Sequence, residues 1–366
     1  MRVSFSYLER QFADLDGYLE DIRALVASSA LTLGPAVEEF EHRFSELSGL
    51  PHAIGVGTGT DALRLPLELS GVGPGDEVIT TPNTFIATVG AIVATGARVV
   101  FVDSEDGFVI DPALIEAAIT ERTKAIVPVH YTGNVADMPT IAAIAERRGL
   151  VLVEDACQAT AAAIDGTPVG SWGIAGAFSL HPLKNLNVWG DGGVVVTRSA
   201  ELADRLRLYR NHGLVNRDEV ASWGINSRLD ALQAVIGNRL IGSVPAITER
   251  RIANAARYDA ALADVDGISV PVRRPGVRHV YHLYIVRAER RDALLRFLVE
   301  AGIEAKIHYP IPVHLQEAAR DLGYGEGDFP STEHDAKVVI TLPAHPYLSD
   351  DEIDYTIDRV RAFYRA

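Results

Sequence analysis

One lysine stands between two apolar runs in AFSLHPLKNLNVWGDGGVVV, residues 177–196. A lysine between two core strands is costly to hold as a cation. Lys184 therefore either reaches solvent from its loop or is kept neutral as a nucleophile, as in Schiff-base chemistry. Other polar groups follow apolar runs in the same way. In AIGVGTGTDAL, Gly59 and Thr60 stand where a helix should begin. Small residues there let backbone N–H groups approach an anion at the positive helix end; the alternative is a tight strand–helix turn capped by Thr60 or Asp61. Phe85 in TPNTFIAT opens another helix, as a ring to stack on a planar group or as core. Asp155 closes LVLVED, where a buried carboxylate needs a cation or backbone N–H groups. Gln158 follows it as a donor to a ring oxygen or as a core-edge amide, and Ser179 precedes the lysine turn.

Taken singly, each of these has an ordinary structural explanation. Jointly they follow in order, each at the C-terminal edge of a strand of one sheet, where open α/β sheets bind ligands. An anion seat, a ring clamp, a partner for a pyridinium nitrogen and a nucleophilic lysine are what a pyridoxal 5′-phosphate site needs. The turn at 57–61 is neither a P-loop nor a GxGxxG fingerprint, which counts against ATP and NAD. An unperturbed lysine is well under ~1% neutral at pH 7, so its surroundings must lower its pKa.

The elements that would position these groups are legible. Apolar runs AIGVG, DEVITTP, ARVVFVD, TKAIVPVH, LVLVEDA, AGAFSL and GGVVVT alternate with helical segments such as TDALRLPLELSG and MPTIAAIAERRG. Such alternation predicts an α/β fold with a mainly parallel sheet covered on both faces. Helical segments come first, broken at Gly34–Pro35, and SAELADRLRLYRNHG predicts a helix capped at Ser199. Near Pro245 the rhythm changes: a long basic helix, a strand in HVYHLYIVRA, a helix, a strand in IEAKIHYP and a closing helix predict a smaller α+β unit. The expected division is a large domain over 1–244 and a small one over 245–366.

The chain has 366 residues with 34 Lys and Arg against 49 Asp and Glu, a net charge of −15. That balance argues against a nucleic-acid partner. The lone cysteine, Cys157, permits no internal disulfide, no apolar run has the length of a membrane span, and the first residues lack a signal core. The expectation is a cytoplasmic protein with no membrane partner and no metal site.

The segments GTGTDAL, GPGDEVITTPNTFIAT, VEDACQA, AFSLHPLKNL, GDGGVVVT, LYRNHG and NSRLDALQA together resemble the DegT/DnrJ/EryC1/StrS family of sugar aminotransferases, over nearly the whole chain. The resemblance implies the fold of type I pyridoxal-phosphate enzymes, with a seven-stranded sheet, and a homodimer with sites at its interface. It makes Lys184 the Schiff-base lysine, Asp155 the pyridine-nitrogen partner and Gln158 a neighbour of the phenolic oxygen. Gly59, Thr60 and Ser179 would hold the phosphate, Phe85 would lie by the ring, and Asn226 would reach the phosphate from the other subunit. KIHYPIPVHLQ resembles members that aminate C3 of a nucleotide-linked 3-keto-6-deoxyhexose, making His308, Tyr309 and His181 substrate contacts. Arg228 and Lys306 would be cations for a nucleotide diphosphate. Glutamate or glutamine is the expected donor, with pyridoxamine phosphate formed between half-reactions. A 4-keto sugar or an inosose is the alternative acceptor; a sugar dehydratase and a regulatory protein without turnover are further alternatives. Three departures from the family pattern fall on Thr160, on HYTG at 130–133, and on Asn187 and Trp189, the last two expected to face the sugar.

Overall fold

Alternate side chains of each central strand are apolar, and each set needs its own cover. In this computed structural model, which describes residues 1–365, the strands of the main sheet are β1 (His52–Val56), β2 (Glu77–Thr80), β3 (Arg98–Phe101), β4 (Thr123–Ile126), β5 (Val151–Asp155), β6 (Ala175–Ser179) and β7 (Gly193–Thr197). Their order is β1–β7–β6–β5–β4–β2–β3, and β7 runs antiparallel to both neighbours while the other pairings are parallel. Val194 and Val196 enter one core and Val195 the other.

The first core is closed by α1 (Leu15–Ser28) and α2 (Pro35–Ser48), through Tyr18, Phe40 and Phe44. The second is closed by α3 (Gly59–Leu69), α4 (Ile86–Ala94) and, through Leu202 and Leu206, α7 (Ala200–Tyr209). The first also takes α5 (Pro112–Ala118) through Ile115, α6 (Met138–Arg148) through Ile141 and Ile144, and α8 (Ala231–Ile241) through Ala234 and Ile236. Ser199 caps α7 by accepting the Leu202 N–H at 3.1 Å.

After α9 (Val244–Leu262) come β8 (Ile268–Ser269), β9 (Tyr284–Ala288), α10 (Arg291–Glu300), α11 (Pro330–Val338), β10 (Val339–Leu342) and α12 (Asp350–Arg365). The strands form an antiparallel sheet in the order β8–β9–β10, over a separate core of Tyr258, Leu298 and Val360. Two details differ from expectation. IEAKIHYP forms no strand: it meets β10 only in an isolated bridge between Lys306 and Thr341, and Val339–Leu342 supplies the missing strand. Pro310 ends the segment and brings no N–H to extend a ladder. Val3, at the other end of the chain, is fully buried in this same core and pairs with Ile303. No helix among the described residues is long and apolar enough to cross a membrane.

Phe178 on β6 is 2% exposed and meets Phe44 edge-on at 5.2 Å. Phe178→Ala should cost about 3–5 kcal/mol of stability. Urea unfolding should show this as a lower midpoint at unchanged slope.

Candidate active site

Because β1, β5 and β6 are parallel, their C-terminal ends share one edge of the sheet. A cavity of about 530 Å³ opens there. From β1 the chain passes through Gly57 to Thr58, whose hydroxyl accepts the Asp61 N–H at 3.0 Å and caps α3. The cap is thus Thr58, not Thr60 or Asp61. Asp61 is occupied elsewhere, accepting the Ser227 hydroxyl at 2.8 Å. Gly59 and Thr60, at the start of α3, have no protein acceptor for their N–H groups among the described residues. The turn is packed from below. A Cβ on Gly59 would lie 2.7 Å from Ser179 Cβ, and one on Gly193 would lie 2.2 Å from the Thr58 carbonyl oxygen. Only glycine allows β7 and α3 this close an approach. The result is an anion cradle of free N–H groups, the helix end and the Ser179 hydroxyl.

Asp155 ends β5 and is 5% exposed. Its Oδ2 accepts the Thr88 hydroxyl at 2.6 Å and its Oδ1 accepts the Cys157 N–H at 3.1 Å. No basic side chain pairs with it among the described residues. A buried carboxylate without a cation calls for one from a ligand. Gln158 is buried; its carbonyl accepts the Thr132 N–H at 2.7 Å, so its NH₂ remains for the cavity it lines. Lys184 lines the same cavity, and burial lowers its pKa against the opposing pull of Cys157 and Asp155. Its amine is in no ion pair or side-chain hydrogen bond among the described residues.

On the open side, Phe85 is half exposed at the start of α4, 6.0 Å from the Tyr309 ring. His308 Nδ1 lies 2.8 Å from Thr341 Oγ1; burial and the charges of Lys306 and Lys184 bring its pKa down to about 4. Tyr309 is pushed up to about 12 by burial and by the Asp155 charge. His181, exposed at the rim, has its pKa lowered by burial and by Lys184.

A family model for the DegT/DnrJ/EryC1/StrS aminotransferases matches residues 16–361. The chain belongs to that family. It is 44% identical to a pleiotropic regulatory protein of Geobacillus stearothermophilus, over 100% of this chain and 99% of the relative. It is 43% identical to a dTDP-3-amino-3,4,6-trideoxy-alpha-D-glucose transaminase of Streptomyces venezuelae, over 96% and 95%. Among solved structures, S. venezuelae DesV in complex with a ketimine intermediate superposes with a TM-score of 0.97 at 42% identity, over 100% and 99% of the chains. A Bacillus subtilis structure, NtdA with bound cofactor PMP, superposes with a TM-score of 0.93 at 31% identity, over 100% and 86%. The fold is that of the pyridoxal-phosphate-dependent aminotransferases.

The residues present fit this family's cofactor: open N–H groups for a phosphate, an unpaired buried carboxylate for a ring cation, and a desolvated amine on one cavity wall. Gly59, Thr60, Phe85, Asp155, Gln158, Ser179, His181, Lys184, His308 and Tyr309 all line that cavity. Asn226 and Arg228 do not. Arg228 donates to the side chains of Asn226 at 2.9 Å and Asn211 at 3.1 Å. Nor do Asn187 and Trp189 face the cavity. Asn187 is fully buried, and Trp189 packs against Phe12 at 5.5 Å and Tyr18 at 5.3 Å. Their sequence position beside Lys184 suggested the sugar, but the turn directs them into the first core. Phe5, Tyr7, Thr88, Arg251, His282 and His345 also line the cavity and escaped the sequence reading. Only Thr88 left a trace, one turn into the helix that Phe85 opens; the others come from distant segments.

Gly193→Ala should displace the Thr58–Gly59 turn and weaken pyridoxal phosphate binding by about tenfold or more, or ~1.4 kcal/mol, read by fluorescence titration of the folded variant. The site also sets a pH limit. His308 and His345 are each held down to about 4, mainly by burial. Unfolded, they protonate near ~6.5, so the unfolded state binds more protons below that pH and stability falls between about 6.5 and 4. Urea titrations across this window should show the slope, and His345→Gln should flatten it.

Proposed function

We propose that this protein is a pyridoxal-phosphate-dependent aminotransferase moving an amino group from L-glutamate or glutamine to a nucleotide-linked keto-deoxysugar at C3, in amino-sugar biosynthesis. The observation that carries the reading is Lys184: a desolvated amine on the wall of a cavity that also holds the unpaired Asp155 carboxylate and the open α3 terminus. The names of the S. venezuelae transaminase and its nucleotide sugar support the acceptor class.

Gly59, Thr60 and Ser179 would bind the phosphate. Asp155, its geometry held by Thr88 and the Cys157 N–H, would bind the ring nitrogen, and Gln158 would donate to the ring oxygen. When bound, pyridoxal phosphate supplies an electrophilic carbon and a ring that takes up an electron pair. Lys184 would anchor the cofactor and would carry a proton at Nζ as base and acid; burial, which lowers its pKa, favours the neutral amine that both tasks need. Burial of Asp155 keeps water from screening the charge it opposes. His181, His308 and Tyr309 would orient the sugar, with Tyr309 and Phe85 forming an aromatic wall.

Asn226 is exposed and Arg228 lies outside the cavity of its own chain. This supports a homodimer in which Asn226 reaches the partner's phosphate cradle, with Arg228 available to a nucleotide diphosphate. A large unit over 1–244 and a small one over 245–366 remain our division of the chain. The boundary falls within the first turn of α9, just after the turn that follows α8.

A second reading, a regulatory protein that binds the cofactor without turnover, draws on the name of the G. stearothermophilus relative. A glutamate half-reaction separates the two. Lys184→Ala should abolish both turnover and the lysine-linked cofactor absorbance; a variant retaining both overturns the proposal. The pyridoxamine form, offered a panel of nucleotide keto-sugars and inososes, should return to the pyridoxal form with a 3-keto sugar. Return with only an inosose or a 4-keto sugar would reassign the acceptor.

A further inference from the structure

We propose that Tyr7 is a positioning residue for Lys184: the first residues of the chain form a strap that clamps the turn carrying the reacting amine. The proposal rests on the function above only in taking Lys184 as that amine.

The strap is tied down along its length. Val3 N–H donates to the Gly302 carbonyl and Glu304 N–H to the Val3 carbonyl, both at 2.9 Å. Phe5 N–H donates to Glu304 Oε2 at 3.0 Å, and His345 Nε2 to the Ser4 carbonyl at 3.1 Å. Further on, Arg10 pairs with Glu352 through both carboxylate oxygens, at 2.6 and 2.7 Å. The strap is therefore packed onto the second unit, with Val3 in its core, although it begins the chain.

Tyr7 projects from this strap into the floor of the cavity and is 5% exposed. Its ring is held by the Arg251 guanidinium at 5.2 Å, His345 at 5.3 Å and Tyr347 at 5.9 Å. Its phenolic proton is shared between the carbonyls of Leu183, at 3.0 Å, and Lys184, at 2.9 Å. Burial raises the phenol pKa, so the proton stays in place to be donated.

The Lys184 carbonyl receives a second donor, Asn187 Nδ2 at 3.0 Å, and the same nitrogen donates to Gln11 Oε1 at 2.9 Å. Lys184 N–H in turn donates to the His181 carbonyl at 2.8 Å. Every main-chain polar group of Lys184 is thus bonded, while its amine has no protein partner among the described residues. The place of Nζ is accordingly set from the backbone, and both side chains that donate to the Lys184 carbonyl, Tyr7 directly and Asn187 through Gln11, are tied to the strap. Misplacing a reacting group by about 1 Å can cost ~10²-fold in rate, so a backbone clamp at this point bears on chemistry as well as on stability.

Tyr7→Phe removes the hydroxyl and keeps the ring contacts. In the full-length apoprotein, acylation of Lys184 by a small anhydride, followed by peptide mass spectrometry across pH, reports how exposed and how neutral the amine is. We expect labelling about threefold faster or more at a given pH in Tyr7→Phe, as the turn loosens. In the holoenzyme, kcat for the glutamate half-reaction should fall about tenfold while KM changes less than about twofold. Asn187→Ala, which removes the other donor to the same carbonyl, should shift the same quantities in the same direction, and it decides the matter if Tyr7→Phe fails to fold. A folded Tyr7→Phe with the wild-type labelling profile and kcat, even if less stable, overturns the clamp. Loss of the Lys184-dependent absorbance is read separately on Lys184→Ala, so a failure of the proposed function is distinguishable from a failure of the clamp.

Discussion

The site depends on keeping an amine and a carboxylate in one desolvated cavity without letting them neutralise each other. Asp155 takes its hydrogen bonds from Thr88 and from the Cys157 N–H, and Lys184 is held through its main chain. Burial lowers the lysine pKa while the nearby carboxylate raises it, and burial is the larger effect. Had the two formed a direct ion pair, the amine would be a cation and the carboxylate would have no charge left for a ring nitrogen. The rest of the architecture can be understood as meeting this requirement.

A mainly parallel sheet supplies the rigid edge. Its strands end together, so a carboxylate from β5, a hydroxyl from β6 and a helix terminus after β1 arrive at one place without a long loop. The reversed strand β7 matters as much. Its first residue, Gly193, pairs with both Val56 and Ser179 and lies against the Thr58–Gly59 turn, which fixes the spacing of the cradle. The smaller unit then closes the cavity from the other side with His308, Tyr309, His282 and His345, neutral rings that present hydrogen-bonding atoms without adding charge.

Much of this was legible in the sequence, because local chemistry and local periodicity coincide there. Asp155, Ser179 and Lys184 each sit at the end of an apolar run, and strand ends are where an α/β sheet puts its ligands. The apolar runs themselves predicted the strands of the main sheet. Elsewhere, neighbourhood along the chain and neighbourhood in space part company. Asn187 and Trp189 are close to Lys184 in sequence, yet the turn sends them into the core. IEAKIHYP has the apolar alternation of a strand, but it makes only isolated bridges, Ile303 to Val3 and Lys306 to Thr341, and gives His308 and Tyr309 to the cavity wall.

By itself, then, the sequence determined the sheet, the order of the polar groups along its edge and the family, since these rest on residue type and short-range spacing. Only the tertiary structure decided that Asp155 has no protein cation, that Thr58 rather than Thr60 caps α3, and that Tyr7 reaches Lys184 across most of the large unit's sequence. The physical reason is that a hydrogen bond between residues 7 and 184 leaves no periodicity or composition to detect. It exists because Val3 is buried in the core of the second unit, which brings the start of the chain beneath the lysine turn.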